Sequence, residues 1–171
     1  MKTLFSSSMI VLLLLGANVA QAQTTQPKLN AMESMKQYLG IWKGEVAKDT
    51  VMILNFTSYG QTIEDNYKIV TKGKVLFSGK EIYGYNQKYD KIIFASVNDY
   101  SPEISLGACW SSSKDTANIV GYEYLSNPEK DNNKVQWILI PPDSAKPDSA
   151  KRIVYQNNKV ISVSKFFREK H

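Results

Sequence analysis

The sequence predicts an all-β fold, an antiparallel up-and-down barrel of about ten strands with one short N-terminal helix. Runs rich in Ile, Val, Thr, Tyr and Phe recur at roughly 8–12 residue spacing, with turn-forming residues between them. The connections are short, which makes neighbours in sequence neighbours in the sheet. A helical period occurs only once, just before the first of these runs.

Residues 1–22 read as a secretory leader. Lys2 is followed by an apolar run from Met9 to Leu15, and Ala20-Gln21-Ala22 before Gln23 is an A-x-A cleavage pattern. The run is far shorter than the roughly 18 apolar residues of a spanning helix, so no membrane span is expected. Lipoprotein processing needs a cysteine at the cut, and the one cysteine is Cys109. The chain is therefore expected to be periplasmic or secreted, and not lipid-anchored. Residues 23–29, with Pro27, form a flexible lead-in, and residues 30–171 form the barrel domain. Cleavage leaves 149 of the 171 residues, enough for one domain with a real core. With one cysteine no internal disulfide can form, so packing must supply the stability. Cys109 is either a small buried hydrophobe or an exposed thiol able to pair between chains.

The elements follow in order. Asn30 can cap a helix with Glu33 three residues on, and Met32, Met35, Tyr38 and Leu39 fall at helical spacing, which predicts a helix over 30–39 ending at Gly40. Strands are predicted at 41–48, 50–58, 61–71, 74–86, 90–98, 103–112, 116–125, 133–140, 151–157 and 159–168. Lys72-Gly73-Lys74, Asn86-Gln87-Lys88 and Asn157-Asn158 supply turn chemistry between them. After Pro141-Pro142 comes a direct repeat, Asp143 to Pro147 and then Asp148 to Lys151, without a large apolar residue. It is expected to be a mobile loop.

Alternation assigns faces. Ile63, Tyr67 and Ile69 share one face of 61–71, and Ile104, Leu106, Ala108 and Trp110 share one face of 103–112. In 133–140 Val135, Trp137 and Leu139 lie together. In 74–86 the face that holds Val75, Phe77, Tyr83 and Tyr85 also holds Glu81, an acid expected to point inward. Tyr122 and Tyr124 are expected inward in 116–125, which turns Glu123 outward.

The net charge of +5, or +4 once Lys2 is lost, is spread along the chain among acids. No basic stripe marks a nucleic-acid partner. The only histidine is the terminal His171, so Ser-His-Asp and Cys-His catalysis, His-ligated zinc and His-ligated haem lack their imidazole. No Walker A loop, G-x-G-x-x-G or G-x-S-x-G occurs. No catalytic residue, metal or cofactor is expected. The mid-strand acids Glu81 and Glu123 are the one carboxylate pair to weigh for glycoside hydrolysis, and strand parity separates them.

Leu39-Gly40-Ile41-Trp42-Lys43-Gly44-Glu45, behind a short helix, resembles the G-x-W opening of lipocalins. It is most similar to a group of exported bacterial relatives that open with L-G-x-W-x-G-E. Phe77-Ser78-Gly79 and Tyr83-Gly84-Tyr85-Asn86 followed by Tyr89 are similar to that group's F-x-G and G-Y-D, with Asn86 in place of the acid. The likeness spans residues 30 to 125. It implies a barrel with an internal cavity and no particular reaction. It also implies that Trp42, beside Gly40, closes one barrel end against a basic residue of a late strand, Arg168 or Lys165.

Ten tyrosines, six phenylalanines and three tryptophans are the chain's distinctive resource. Tyrosine offers an apolar face with a polar tip, which suits a cavity that orients a small apolar or amphipathic ligand. The expected wall is Tyr67, Phe77, Tyr83 and Tyr85, joined by Trp110, Tyr122 and Trp137. Glu81 is its polar anchor, either meeting a cation, with Arg152 the candidate partner, or holding its proton with a raised pKa. The competing reading is a structural or interaction module whose aromatics simply fill the barrel.

Overall fold

The protein's structure, a computed structural model, describes residues 31–140 and 148–170. The leader, the lead-in, Asn30 with its expected cap, and the first copy of the repeat lie outside the described residues.

Ten antiparallel strands close into a barrel. In chain order they are β1 (Gly40–Ala47), β2 (Thr50–Tyr59), β3 (Thr62–Thr71), β4 (Lys74–Asn86), β5 (Lys91–Asn98), β6 (Ser105–Ser113), β7 (Thr116–Gly121), β8 (Val135–Ile140), β9 (Ser149–Gln156) and β10 (Lys159–Arg168). Each strand pairs with its sequence neighbours. β10 returns to β1, with Trp42 opposite Arg168 and Gly44 opposite Phe166, so no sheet edge is left open.

Because each connection turns back on itself, the β1–β2, β3–β4, β5–β6, β7–β8 and β9–β10 connections share one end of the barrel. The other end is plugged by α1 (Ala31–Lys36), whose chain continues through a tight turn in which the Tyr38 N–H donates to Met35 O at 3.0 Å. The predicted helix over 30–39 is thus shorter, because it must stop in time for Gly40, at φ +117°, to swing the chain into β1. Gln37 Nε2 donates to Lys114 O in the β6–β7 turn at 3.3 Å, which ties the plug to this end.

Inward residues make one core: Met35 and Tyr38 of the plug, then Trp42, Leu54, Phe56, Ile63, Tyr83, Ile92, Cys109, Leu139 and Phe166, all buried. Alternation in β3 and β8 runs as expected. Ile63 is buried, and Tyr67 and Trp137 pack on the core.

Several expectations are corrected. The inward face of β6 is the odd one, since Cys109 stands opposite Ile92 and Gly107 opposite Phe94. Ala108 and Trp110 belong to a separate cluster with Val120 and Leu125 on the outer wall. That wall is covered because β7 stops at Gly121 and the chain folds back through two 3-10 turns, Tyr122–Tyr124 and Pro128–Lys130. Apolar alternation reports burial, and here a loop buries the outer side. The predicted strand to residue 125 and the inward Tyr122 and Tyr124 fail for the same reason.

In β4 a bulge between Phe77 and Val75 turns Val75 out to solvent. Finally, the second copy of the repeat is not all loop. β9 begins at Ser149, and Ser149 and Ala150 are buried opposite Phe167 and Phe166.

Candidate binding site inside the barrel

Beyond the plugged core the barrel encloses a cavity of about 160 Å³. Its wall is mixed. Leu54, Phe56, Phe94, Ile119 and Trp137 supply apolar surface, and Asp65, Glu81, Arg152, Tyr67 and Tyr83 supply polar atoms. A smaller void of about 30 Å³ lies on the plug side and shares Phe56, Tyr83, Ile119 and Trp137 as wall.

Strand register explains the polar cluster. Asp65 on β3 is the cross-strand partner of Glu81 on β4, and Glu81 is the partner of Ser96 on β5. Three polar side chains therefore stand side by side on the inner wall. The Asn55 N–H donates to Asp65 Oδ1 at 2.7 Å, the Tyr83 hydroxyl donates to Glu81 Oε2, and Tyr67 and Ser96 share a hydrogen bond of 3.4 Å. Arg152, opposite Trp137 in the β8–β9 ladder, faces the cavity from another wall.

Burial decides the charge state. Asp65 is 1% exposed, and loss of water together with the Glu81 charge pushes its pKa up to about 8, against the pull of the Asn55 N–H. Burial also raises Glu81, opposed by hydrogen bonds from Tyr83 and Ser96 and by the Arg152 charge. Burial lowers Arg152, and the Glu81 charge works against that. The two carboxyls thus hold protons at neutral pH more readily than exposed acids, with one guanidinium across the cavity.

The sequence-predicted residues divide accordingly. Tyr67, Glu81, Tyr83, Trp137 and Arg152 are brought together at the cavity. Phe77 sits at its margin, edge-on to Tyr67 with centroids 6.5 Å apart. Tyr85, opposite the inward Ile92, lies at the plugged rim, 41% exposed and hydrogen-bonded to Asp90. Trp110 and Tyr122 are outside the barrel and cannot line it. Glu123 is exposed on the outer 3-10 turn, away from Glu81. Of the two states expected for Glu81 the structure gives the raised pKa: Tyr83 and Ser96 supply its hydrogen bonds, and Arg152 acts through its charge without an ion pair. Asp65 and Ser96 were missed. Asp65 shares the parity of Ile63 and Tyr67, so the signal was available in the same alternation.

Cys109, the one thiol, is 2% exposed and belongs to the core. Burial pushes it up to about 12, far from the range of a reactive thiolate.

The plugged end has its own geometry. Arg168 lies over the Trp42 ring with its guanidinium carbon 4.4 Å from the centroid. It donates to Leu39 O, and to Gln37 O at 2.5 Å. Trp42 Nε1 donates to Tyr38 O at 2.6 Å. Gly40 leaves room for this, since a Cβ there would meet Arg168 Nη1 at 3.2 Å. Comparison with protein-family models and with curated protein sequences gives no match.

Proposed function

We propose that this chain is an exported, lipocalin-like barrel that binds one small amphipathic molecule in its interior. The observation that carries the reading is the cavity of about 160 Å³, in which an apolar wall faces a polar cluster of Asp65, Glu81 and Arg152. Filling a void with side chains does not require two buried carboxyls and a guanidinium, each costly to desolvate. An orienting site for a polar head does. The volume sets the size: a cavity of about 150 Å³ admits benzene, so the ligand is a single ring or a short chain with one polar group. Export rests on the leader pattern of residues 1–22, and the barrel kinship on the Gly40-Ile41-Trp42 opening with Arg168 over the indole.

A second reading, a filled structural barrel, is favoured by one observation. The cavity is about half the lower bound of roughly 300 Å³ usual for drug-sized ligands. Native mass spectrometry of the purified protein separates the two, together with titration of small aromatic amines and acids followed by Trp137 fluorescence. A bound mass released by solvent, or a saturable response abolished by Arg152→Met with Trp137 left in place, supports the binding site. A clean spectrum with no response to either class refutes it and leaves the filled barrel.

A further inference from the structure

The end of the barrel opposite the plug exposes apolar side chains where hairpin tips are usually polar. Val75 and Leu76 stand on the β3–β4 hairpin, Tyr100 and Ile104 on the β5–β6 connection, and Val160 and Ile161 on the β9–β10 hairpin. Their exposures run from 54% to 85%. Two of these pairs are produced by bulges. In β4 Phe77 and Val75 have partners in β3 while Leu76 is the extra residue, and in β10 Val160 and Ser162 have partners in β9 while Ile161 is extra. A bulge beside a turn lifts an aliphatic side chain out of the ladder.

Contacts link neighbouring tips. Tyr100 packs on Phe77 with centroids 6.1 Å apart, the Lys72 N–H donates to Asp49 O at 2.9 Å, and Asn158 Nδ2 donates to Asn132 Oδ1 at 2.7 Å. Asp49, Lys72, Gly73, Asn157 and Asn158 all have positive φ, the signature of tight hairpin turns. Lys48, Lys72, Lys74 and Lys159 are exposed on the same tips. Asp49, Glu103 and Asp99 are interspersed with them, and Asp99 accepts from the Ser78 N–H at 2.9 Å and the Ser78 hydroxyl at 2.7 Å.

We propose that this end docks on the surface of an anionic lipid bilayer. Leu76, Tyr100, Ile104 and Ile161 enter the interface, and the tip lysines meet lipid phosphates. Apolar tips interspersed with exposed lysines match the two attractions that hold a peripheral protein on such a surface. The inference stands on the tips alone and is independent of what the cavity holds.

The test is flotation with vesicles of phosphatidylcholine plus phosphatidylglycerol and with vesicles of phosphatidylcholine alone. It compares the wild type, Leu76→Glu/Ile161→Glu, Lys72→Gln/Lys74→Gln, and Ile82→Glu on the exposed outer wall of β4 as control. All four carry the same N-terminus, so any contribution of the leader cancels, and circular dichroism confirms the fold of each. The expected result is binding to the anionic vesicles that falls about tenfold or more in Leu76→Glu/Ile161→Glu. It should weaken with salt and in the lysine variant, and persist in Ile82→Glu. No binding by the wild type, or equal loss in the tip and control variants, overturns the proposal. So does a tip substitution that only converts a dimer to a monomer, which would assign the surface to a second copy of the chain.

Discussion

Asp65 and Glu81 stand opposite one another across the β3–β4 ladder, both on the inner wall, with the Tyr83 hydroxyl bonded to one and the Asn55 N–H to the other. Two carboxyls in this position cannot both ionise cheaply. Their neighbour across the cavity is a guanidinium, whose charge acts on Glu81.

Stability should therefore fall as pH rises. The folded pKa of Asp65, at about 8, lies above its ordinary 3.8, so between those values the folded chain holds a proton that the unfolded chain has released. The stabilisation is full below about pH 4 and is lost progressively up to about pH 8, with a limiting slope near 1.4 kcal/mol per pH unit for one proton. Glu81, shifted in the same direction, adds to it. Urea titrations at a series of pH values should show this slope in the wild type and a flatter profile in Asp65→Asn, with the variant the more stable at pH 8. A wild type whose stability increases from pH 5 to pH 8 would refute the protonated pair.

Glycine at 44 is required by a close approach and not by a turn. A Cβ there would lie 2.6 Å from Lys165 O and 2.7 Å from the Phe166 ring, and a main-chain oxygen in a closed ladder cannot step aside. Gly44→Ala should cost about 1–3 kcal/mol by overpacking the β1–β10 seam. Chemical denaturation measures it, and a loss below about 0.5 kcal/mol, the range of surface changes, contradicts the packing.

Much of this was legible in the sequence because barrels are built from local rules. All ten strand runs became strands, and Trp42, Gly40 and Arg168 meet at the plugged end, because period-2 patterning and turn residues act between sequence neighbours. The site was half legible. Tyr67, Glu81, Tyr83, Trp137 and Arg152 follow strand parity into the cavity. Trp110 and Tyr122 do not, because alternation names two faces and only the return path of residues 122–134 decides which of them in β6 is covered from outside. Asp65 escaped although its parity with Ile63 and Tyr67 turns it inward, because an acid reads as surface by residue type, and only the register shows the Glu81 beside it.

Cys109 should be inert in the native state. Its thiol is buried against Ile92 in the β5–β6 ladder and pushed up to about 12, so thiolate is scarce and reagents have no access. Ellman's reagent should react in urea and not in buffer, and the protein should form no intermolecular disulfide on air oxidation. Rapid labelling of native protein would show that the β5–β6 wall opens readily.

The last prediction concerns the coupling of Trp42 and Arg168. Trp42 is 1% exposed, so Trp42→Ala should cost about 3–5 kcal/mol, the usual loss for a large buried aromatic. Arg168→Met keeps most of the side-chain volume but strands Leu39 O and Gln37 O without their donor, at about 1–3 kcal/mol. The two losses should not add. Once the indole is gone the guanidinium has no ring to lie on, and once the guanidinium is gone the turn that holds Tyr38 O, the acceptor for Trp42 Nε1, is loosened. A double-mutant cycle should give a coupling of about 0.5–2 kcal/mol, within the range for contacting residues. Strict additivity would mean that Arg168 braces the turn and contributes nothing through the ring. The plug would then be held by the chain passing through Gly40 and by the packing of Met35 and Tyr38 on the core, and loss of Arg168 would loosen the turn while leaving the tryptophan in place.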